Sequence, residues 1–337
     1  MEIIIKQQNQ SGVVLGSILF FIAISLILLV QSGCSHKKLL RLKPKNLTAQ
    51  KSITIEKGNL KVVFAGNSAF GAHHKAGYNG IAELYHKDQD SSVFVPFYAG
   101  FNLEHIFGGD SLNPLFEPRK SPMELFRIAD DEVLLYQAPT PLSKVESQIR
   151  FKVIAPNYID VEFRFIFHSK DFFKHNYAGL FFASYINAPE DKKIYFRGIK
   201  DGKMKPEWVA AFSNKHGVKS THRWIRDTNK LYFAPNFNAT LASHFSDYRF
   251  LQPFYYGRFH NMALAYMFSP AGNIRFSQSP TGGGAKNPAW DFQFIIPNFK
   301  TEHSYVFRAR IVYRPSVNKN VLLEEYQTWK DQLEEVK

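Results

Sequence analysis

The chain has 337 residues, 42 Lys and Arg against 29 Asp and Glu, and one cysteine. A lone cysteine excludes an intrachain disulfide framework, so the roughly 280 residues of the main domain must be held by their own core, which that length provides without forcing a second domain. Residues 1–34 hold one acid and one base, Glu2 and Lys6, so the formal charge of +13 belongs to the rest of the chain; such a surplus suits an acidic partner (sulfated or uronic-acid glycan, anionic lipid or nucleic acid) or serves solubility alone.

Val13 to Val30 is the one long apolar run and carries no charge. As a helix it would rise about 27 Å, on the border between a secretory h-region and a spanning segment. Val30-Gln31-Ser32-Gly33-Cys34 follows, with small residues that fit a signal-peptidase cleft ahead of the only cysteine. This stretch resembles a bacterial lipobox, which implies lipidation of Cys34 after cleavage. Gln31 replaces the usual leucine, and Lys37, Lys38, Arg41, Lys43 and Lys45 crowd the far side, where the positive-inside tendency disfavours them. An uncleaved anchor and a cytoplasmic C-terminal domain are the other readings. The expectation is a protein of the bacterial cell envelope, held at the membrane and facing the periplasm or exterior, with residues 1–33 as signal peptide or anchor and 34–55 as a basic tether.

From Ile53 the chain changes to short β-prone runs broken by Gly, Pro, Asn and Asp. Runs include Leu60–Ala65, Ser92–Tyr98, Glu132–Gln137, Gln148–Ala155, Tyr158–His168, Gly179–Asn187, Lys193–Gly198, Lys230–Ala234, Met262–Ser269, Asn273–Ser277, Trp290–Pro297 and Ser304–Arg314. In Tyr158–His168, Ile159, Val161, Phe163, Phe165 and Phe167 share a face opposite Asp160, Glu162 and Arg164, the period of a half-buried antiparallel strand. Ser304–Arg314 repeats the pattern. The predicted fold class is all-β, a large antiparallel β-sandwich over residues 56–316, rich in pleat-favouring Phe and Tyr. Residues 317–337 add one amphipathic helix, Asn320 to about Val336, with Leu322, Tyr326, Trp329 and Leu333 recurring on one face.

Four segments gather polar groups suited to a site. Ala72–Glu83 carries His73 and His74, which can exchange protons near neutral pH, then Tyr78 and Asn79, which can bind sugar hydroxyls; the same glycines and asparagine also suit an ordinary turn. Tyr98–Phe107 carries Asn102, Glu104 and His105. Glu104 and His105 point to opposite faces of a regular strand, so only a bulge lets both serve one site. Thr221–Arg226 offers Arg223 and Trp224, and Tyr255–His260 offers Arg258 and His260, which would share a face of an extended strand. Arginine forks bind carboxylate or sulfate, and indoles stack on sugars. Both segments also read as exposed loops with ordinary surface charge. Gly282, Gly283 and Gly284 lead into Trp290 and Asp291, as the border of a groove or a long hairpin connection, and lack the order of a phosphate loop. No histidine spacing demands a metal, no cofactor motif is present, and no nucleic-acid module is recognisable.

The β-only core, its size and the polar His-Asn-Arg-Trp loops resemble the galactose-mutarotase-like supersandwich of carbohydrate-active proteins. The segments GYNGIAEL, AGFNLEHIF, YAGLFFASYINAPED and FSQSPTGGGAKNPAWDFQF also resemble uncharacterised bacterial envelope lipoproteins. The resemblance implies a carbohydrate partner, an anionic polysaccharide being the expectation, and transfers no catalytic residue. Lyase-like or hydrolase-like cleavage is one expectation, with His73, His74, Tyr78, His105 and His260 as acid/base candidates, Asn79, Asn102, Glu104 and Asp291 as further substrate ligands, Arg223 and Arg258 as anion binders, and Trp224 and Trp290 as platforms. A non-catalytic glycan-binding or envelope-scaffold lipoprotein is the other. An enzyme needs a His or Tyr and an Arg converging in one concave cleft; a binding protein needs an aromatic groove without them.

Overall fold

The computed structural model describes residues 43–44, 46–67, 78–96, 98–110, 116–270, 273–316 and 318–335, all within one compact unit, Lys43–Lys337. The expected anchor, Cys34, His73 and His74 lie outside the described residues.

Strands β1 (Ser52–Lys57), β2 (Leu60–Ala65) and β3 (Gly80–His86) form a small antiparallel sheet. β1 starts inside the stretch read as tether, because Ile53 and Ile55 alternate inward against exposed neighbours. The remaining strands are β4 (Asn102–Phe107), β5 (Met123–Ala129), β6 (Glu132–Gln137), β7 (Val145–Ile154), β8 (Tyr158–Phe167), β9 (Tyr177–Ala183), β10 (Ile194–Lys200), β11 (Glu207–Ala211), β12 (Thr221–Trp224), β13 (Phe245–Phe250), β14 (Phe254–Phe259), β15 (Met262–Phe268), β16 (Asn273–Ser279), β17 (Ala289–Pro297) and β18 (Ser304–Pro315). They join in one sheet of order β4-β9-β17-β16-β12-β13-β10-β14-β15-β18-β8-β7-β6-β5, with β11 on β10. Among the described pairings β12–β13 is parallel.

Aromatic packing shows how this sheet turns on itself. Phe163 of β8 lies 4.9 Å from Phe182 of β9 and 5.2 Å from Phe294 of β17. These strands are far apart in the pairing order, so the sheet folds into facing layers with the phenylalanines between them. Such rings each bury large apolar area and hold edge-to-face geometry, which lets a disulfide-free core close. The all-β expectation is met.

Two predicted runs are not strands. Among its described residues Ser92–Tyr98 holds one bridge, from Phe94 to Ile186, as Pro96 has no N–H to donate. Lys230–Ala234 is irregular, although Leu231 and Phe233 pack on a buried cluster. Three helices are described: α1 (Glu117–Lys120), α2 (Thr240–Ser243) and α3 (Lys319–Glu335). On α3, Leu322, Tyr326 and Trp329 are buried against Phe254, Ala265 and Met267 of the sheet's outer face, with Leu333 packed at the margin.

Candidate active site

The site is built around β4, which ends the sheet order and pairs along its length only with β9. Ala99 (φ 62°) and Phe101 (φ 54°) take left-handed backbone ahead of it, and Phe101 anchors the turn in the core, 4.8 Å from Tyr266. The register then slips: Leu103 pairs with Phe182 and His105 with Phe181, leaving Glu104 as an extra residue. A bulge of this kind is the condition under which both side chains can turn to one site. It brings the Glu104 and His105 side chains together, with His105 Nε2 3.2 Å from Glu104 Oε1.

The bulge is held from the strand's free side. Asn79 Nδ2 donates to Asn102 Oδ1 (2.9 Å) and to the Leu103 carbonyl (3.3 Å), while the Leu103 N–H donates to Asn79 Oδ1 (3.1 Å). The Asn79 amide thus replaces a missing ladder partner, as buried peptide groups require. Asn79 and Asn102 are fully buried, so they are positioning residues and not the sugar ligands expected.

Glu104 is the hub. Tyr185 donates a very short hydrogen bond to Glu104 Oε2, Asn102 Nδ2 donates to the same oxygen at 3.4 Å, and Arg119 Nη1 of α1 lies 3.7 Å from it. The Arg119 guanidinium also sits 3.7 Å above the Tyr78 ring, and Tyr78 meets Tyr185 edge-on at 5.5 Å. Burial pushes the Glu104 carboxyl up, but His105, Tyr185 and Arg119 outweigh it and hold it below the ordinary value. Burial pushes Tyr78 up to about 12, against Arg119, and drives Tyr185 well above a normal phenol.

Glu104 and His105 open onto a cavity of about 240 Å³ that is also lined by Phe116, Tyr185, His216 and Asp291. His105 stacks on Phe116 at 4.8 Å. His216, another lining residue, has Nδ1 3.0 Å from Ser279 Oγ. Asp291 Oδ1 accepts from the Ser184 N–H at 3.0 Å. Burial raises the Asp291 carboxyl well above a normal carboxylate, and the Glu104 charge adds to it. Gly282 borders the cavity, where a Cβ would meet Ala289 Cβ at 2.5 Å, so part of the glycine loop is a cavity wall. A larger groove of about 520 Å³ runs along β1–β3; its one buried titratable group, His86, has Nε2 3.1 Å from Asn157 Oδ1, while Nδ1 accepts from the Asp88 N–H at 3.2 Å and lies 3.4 Å from the Asp88 carboxylate.

The other expected site residues lie elsewhere. His260 is in the turn after β14 at φ 52°, 2.7 Å from Glu190, while the exposed Arg258 lies 5.3 Å over Tyr195. The extended strand that would have aligned those two ends at Phe259. Arg223 and Trp224 belong to β12 and not to a loop; Arg223 covers Phe245 at 4.4 Å and the Trp224 indole donates to the Leu251 carbonyl at 3.1 Å. Trp290 is buried completely against Gly257, where a Cβ would stand 2.1 Å from its ring, and its indole donates to the Lys192 carbonyl at 3.1 Å. It is core, not a platform. Tyr185, Arg119 and His216 were not anticipated. Tyr185 carried one weak signal, a hydroxyl-bearing ring two residues after the apolar Ala178–Ala183 run of β9; Arg119 and His216 carried none. Among the described residues no three His, Cys, Asp or Glu side chains gather as metal ligands.

No family model matches the sequence, and comparison with curated proteins yields no match. Solved structures similar to the chain include heparan sulfate lyase HepC from Pedobacter heparinus, at 12% identity over 89% of this chain and 42% of that one, TM-score 0.41. A heparinase III gene product matches at 9% identity over 81% and 37%, TM-score 0.42. A 4-alpha-glucanotransferase from Thermococcus litoralis matches at 9% identity over 79% and 37%, TM-score 0.35. The chain spans about two-fifths of the length of each of these. Overlays at such TM-scores establish neither a shared family nor an activity for this chain.

Proposed function

We propose that this chain is an extracytoplasmic, membrane-held protein that cleaves an acidic polysaccharide in the cavity of Glu104 and His105, on a sandwich of the galactose-mutarotase-like kind. The observation that carries the reading is the bulge in β4, which joins a carboxylate and an imidazole at one concave surface beside a tyrosine and an arginine. An ionised Glu104 that accepts the His105 Nε2–H fixes the imidazole tautomer, so Nδ1 keeps its lone pair; that atom has no protein partner and is covered, so a substrate reaches it only once the Phe116 ring stacked on the imidazole moves aside. A base of that kind suits removal of the proton next to a uronate carboxylate. The surplus of positive charge supports an anionic polymer. Membrane attachment rests on the apolar run and Cys34.

The experiment is a panel of acidic polysaccharides incubated with the full chain in detergent, read by unsaturated-uronate absorbance and by new reducing ends. His105→Gln is expected to slow product formation by about 10²–10⁴-fold, the range for a lost general base, and to leave glycan retention on an affinity gel unchanged. The alternative of a non-catalytic glycan-binding protein is favoured by how fully Glu104 is already partnered. Retention without any product from wild type would establish that alternative.

A further inference from the structure

Three arginines stand in one row across the sheet. Arg223 of β12 is directly opposite Arg275 of β16 on one side and Arg249 of β13 on the other. Paired residues lie about 5 Å apart at their backbones, and like charges so placed repel. Two of the three are compensated. Arg275 is wholly buried with Nε 2.8 Å from Asp227 Oδ2, so it meets nothing outside the fold. The partly exposed Arg249 directs Nε to Asp201 Oδ1 at 3.1 Å and Nη1 to the Asp227 carbonyl at 3.4 Å. Asp247, on the same face of β13, is taken by Lys219 at 2.5 Å. Arg223, in the middle, differs: among the described residues it forms no ion pair and no side-chain hydrogen bond. It is half-buried, its guanidinium lies 4.4 Å from the centre of the Phe245 ring, and none of its nitrogens is sealed from solvent. Stacking on one face leaves the N–H groups in the guanidinium plane free to donate. Burial, and then the Arg249 and Arg275 charges, lower its proton affinity, as befits a cation crowded by others.

We propose that Arg223 and the exposed edge of Arg249 bind one oxyanion, a sulfate or carboxylate borne by an acidic polysaccharide, at a site outside the cavity of Glu104 and His105. Neither arginine lines that cavity. The row does share a face of the sheet with it, because Arg275 is two residues along β16 from Ser277, which pairs with Asp291 of the cavity wall. Strand dimensions put the Arg223 backbone about 12 Å from that of Asp291. The polymer as the source of the anion rests on the reading above; the oxyanion site rests on the arginine row alone. A bound anion offsets the repulsion within the row, and its paired oxygens match the guanidinium fork, which a lysine could meet only as a point charge.

Two measurements test this on the full chain in detergent. Phenylglyoxal, which modifies accessible arginines, should label Arg223, and rising inorganic sulfate should slow that labelling to at least about a tenth as the site fills. Labelling of Arg308, exposed on another part of the sheet, should not change. This uses the unaltered protein, so a folding defect in a variant cannot mimic it. Arg223→Gln should weaken binding of dextran sulfate at least about tenfold, the worth of a charge-assisted hydrogen bond, against under about twofold for Lys300→Gln, an exposed charge lost elsewhere. Labelling that sulfate leaves unchanged, or equal affinity losses in the two variants, overturns the site and spares the polysaccharide reading. Protection by sulfate in a wild type that binds neither dextran sulfate nor a polyuronate sinks the polymer as ligand and makes the site one for a small free anion.

Discussion

Glu104 and Asp291 respond to burial in opposite senses, and the difference lies in their partners. The Glu104 carboxyl has His105, Tyr185 and Arg119 against it and titrates below its ordinary 4.5. The unfolded chain therefore binds a proton more readily there, so the stability Glu104 contributes is complete above about 4.5 and is lost as pH falls through the folded value. Asp291 has only the Ser184 N–H and titrates well above 3.8. Its unfolded form ionises first, so its penalty is absent below about 3.8 and grows as pH rises towards the folded value. Urea midpoints from pH 3 to 8 should show Glu104→Gln losing its stability deficit on acidification, and Asp291→Asn gaining stability at neutral pH that vanishes near 3.8. Differences independent of pH would contradict both assignments. Tyr185→Phe removes a hydrogen bond to a charged, buried acceptor and should cost about 1.5–3 kcal/mol by the same assay. Sequence reading could name Glu104, His105 and Asp291, since their residue types advertise chemistry. It could not tell Asn79 and Asn102 as scaffold from sugar ligands, because both roles use the same amide.

At the scale of elements, legibility follows the local period. β8, β18 and α3 could be read to within a residue or so because their apolar positions recur at the spacing of their own backbone. β12 could not: its four residues, Thr-His-Arg-Trp, are shaped by partners β13 and β16 and have no pattern of their own. The β4 bulge is of the same kind. Its need could be stated from the sequence, but its existence depends on Asn79, which is 24 residues away from Leu103. Asn79→Ala would leave the Leu103 N–H and carbonyl and the Asn102 amide without that partner. A destabilisation of about 2–4 kcal/mol is expected, with His105-dependent turnover falling further than the loss of folded protein explains. Unchanged turnover in the surviving folded fraction would mean that the bulge holds without it. On α3, Trp329→Ala removes a side chain buried on the sheet's outer face and should cost about 3–5 kcal/mol in urea unfolding; a near-zero cost would detach the helix from the domain's stability.

For the molecule as a whole, the sandwich was legible from the count and rhythm of strands, whereas the order in which they pair was not. That order is set by which aromatic faces meet across the two layers, as Phe163 does with Phe182 and Phe294, and short-range pattern does not encode it. The anchoring proposal belongs at this scale too. Cys34→Ser should abolish metabolic labelling by a lipid precursor and leave the chain full length, with its apolar run uncleaved. Labelling that persists in the variant would remove Cys34 as the attachment point.

The edge position of β4 has a kinetic consequence. Glu104 meets Tyr185 across 81 positions, Ser184 meets Asp291 across 107, and Arg308 meets Glu162 across 146. Closing loops of that size precedes any reward from the contacts they bring, which makes such sheets slow to form. The cavity takes one wall from near residue 104 and another from near residue 291, so a growing chain has no site until most of it is available. Interrupted or trimmed copies that stop before β17 would lack one wall of the cavity altogether, so whatever the cavity binds would be lost at once and not by degrees.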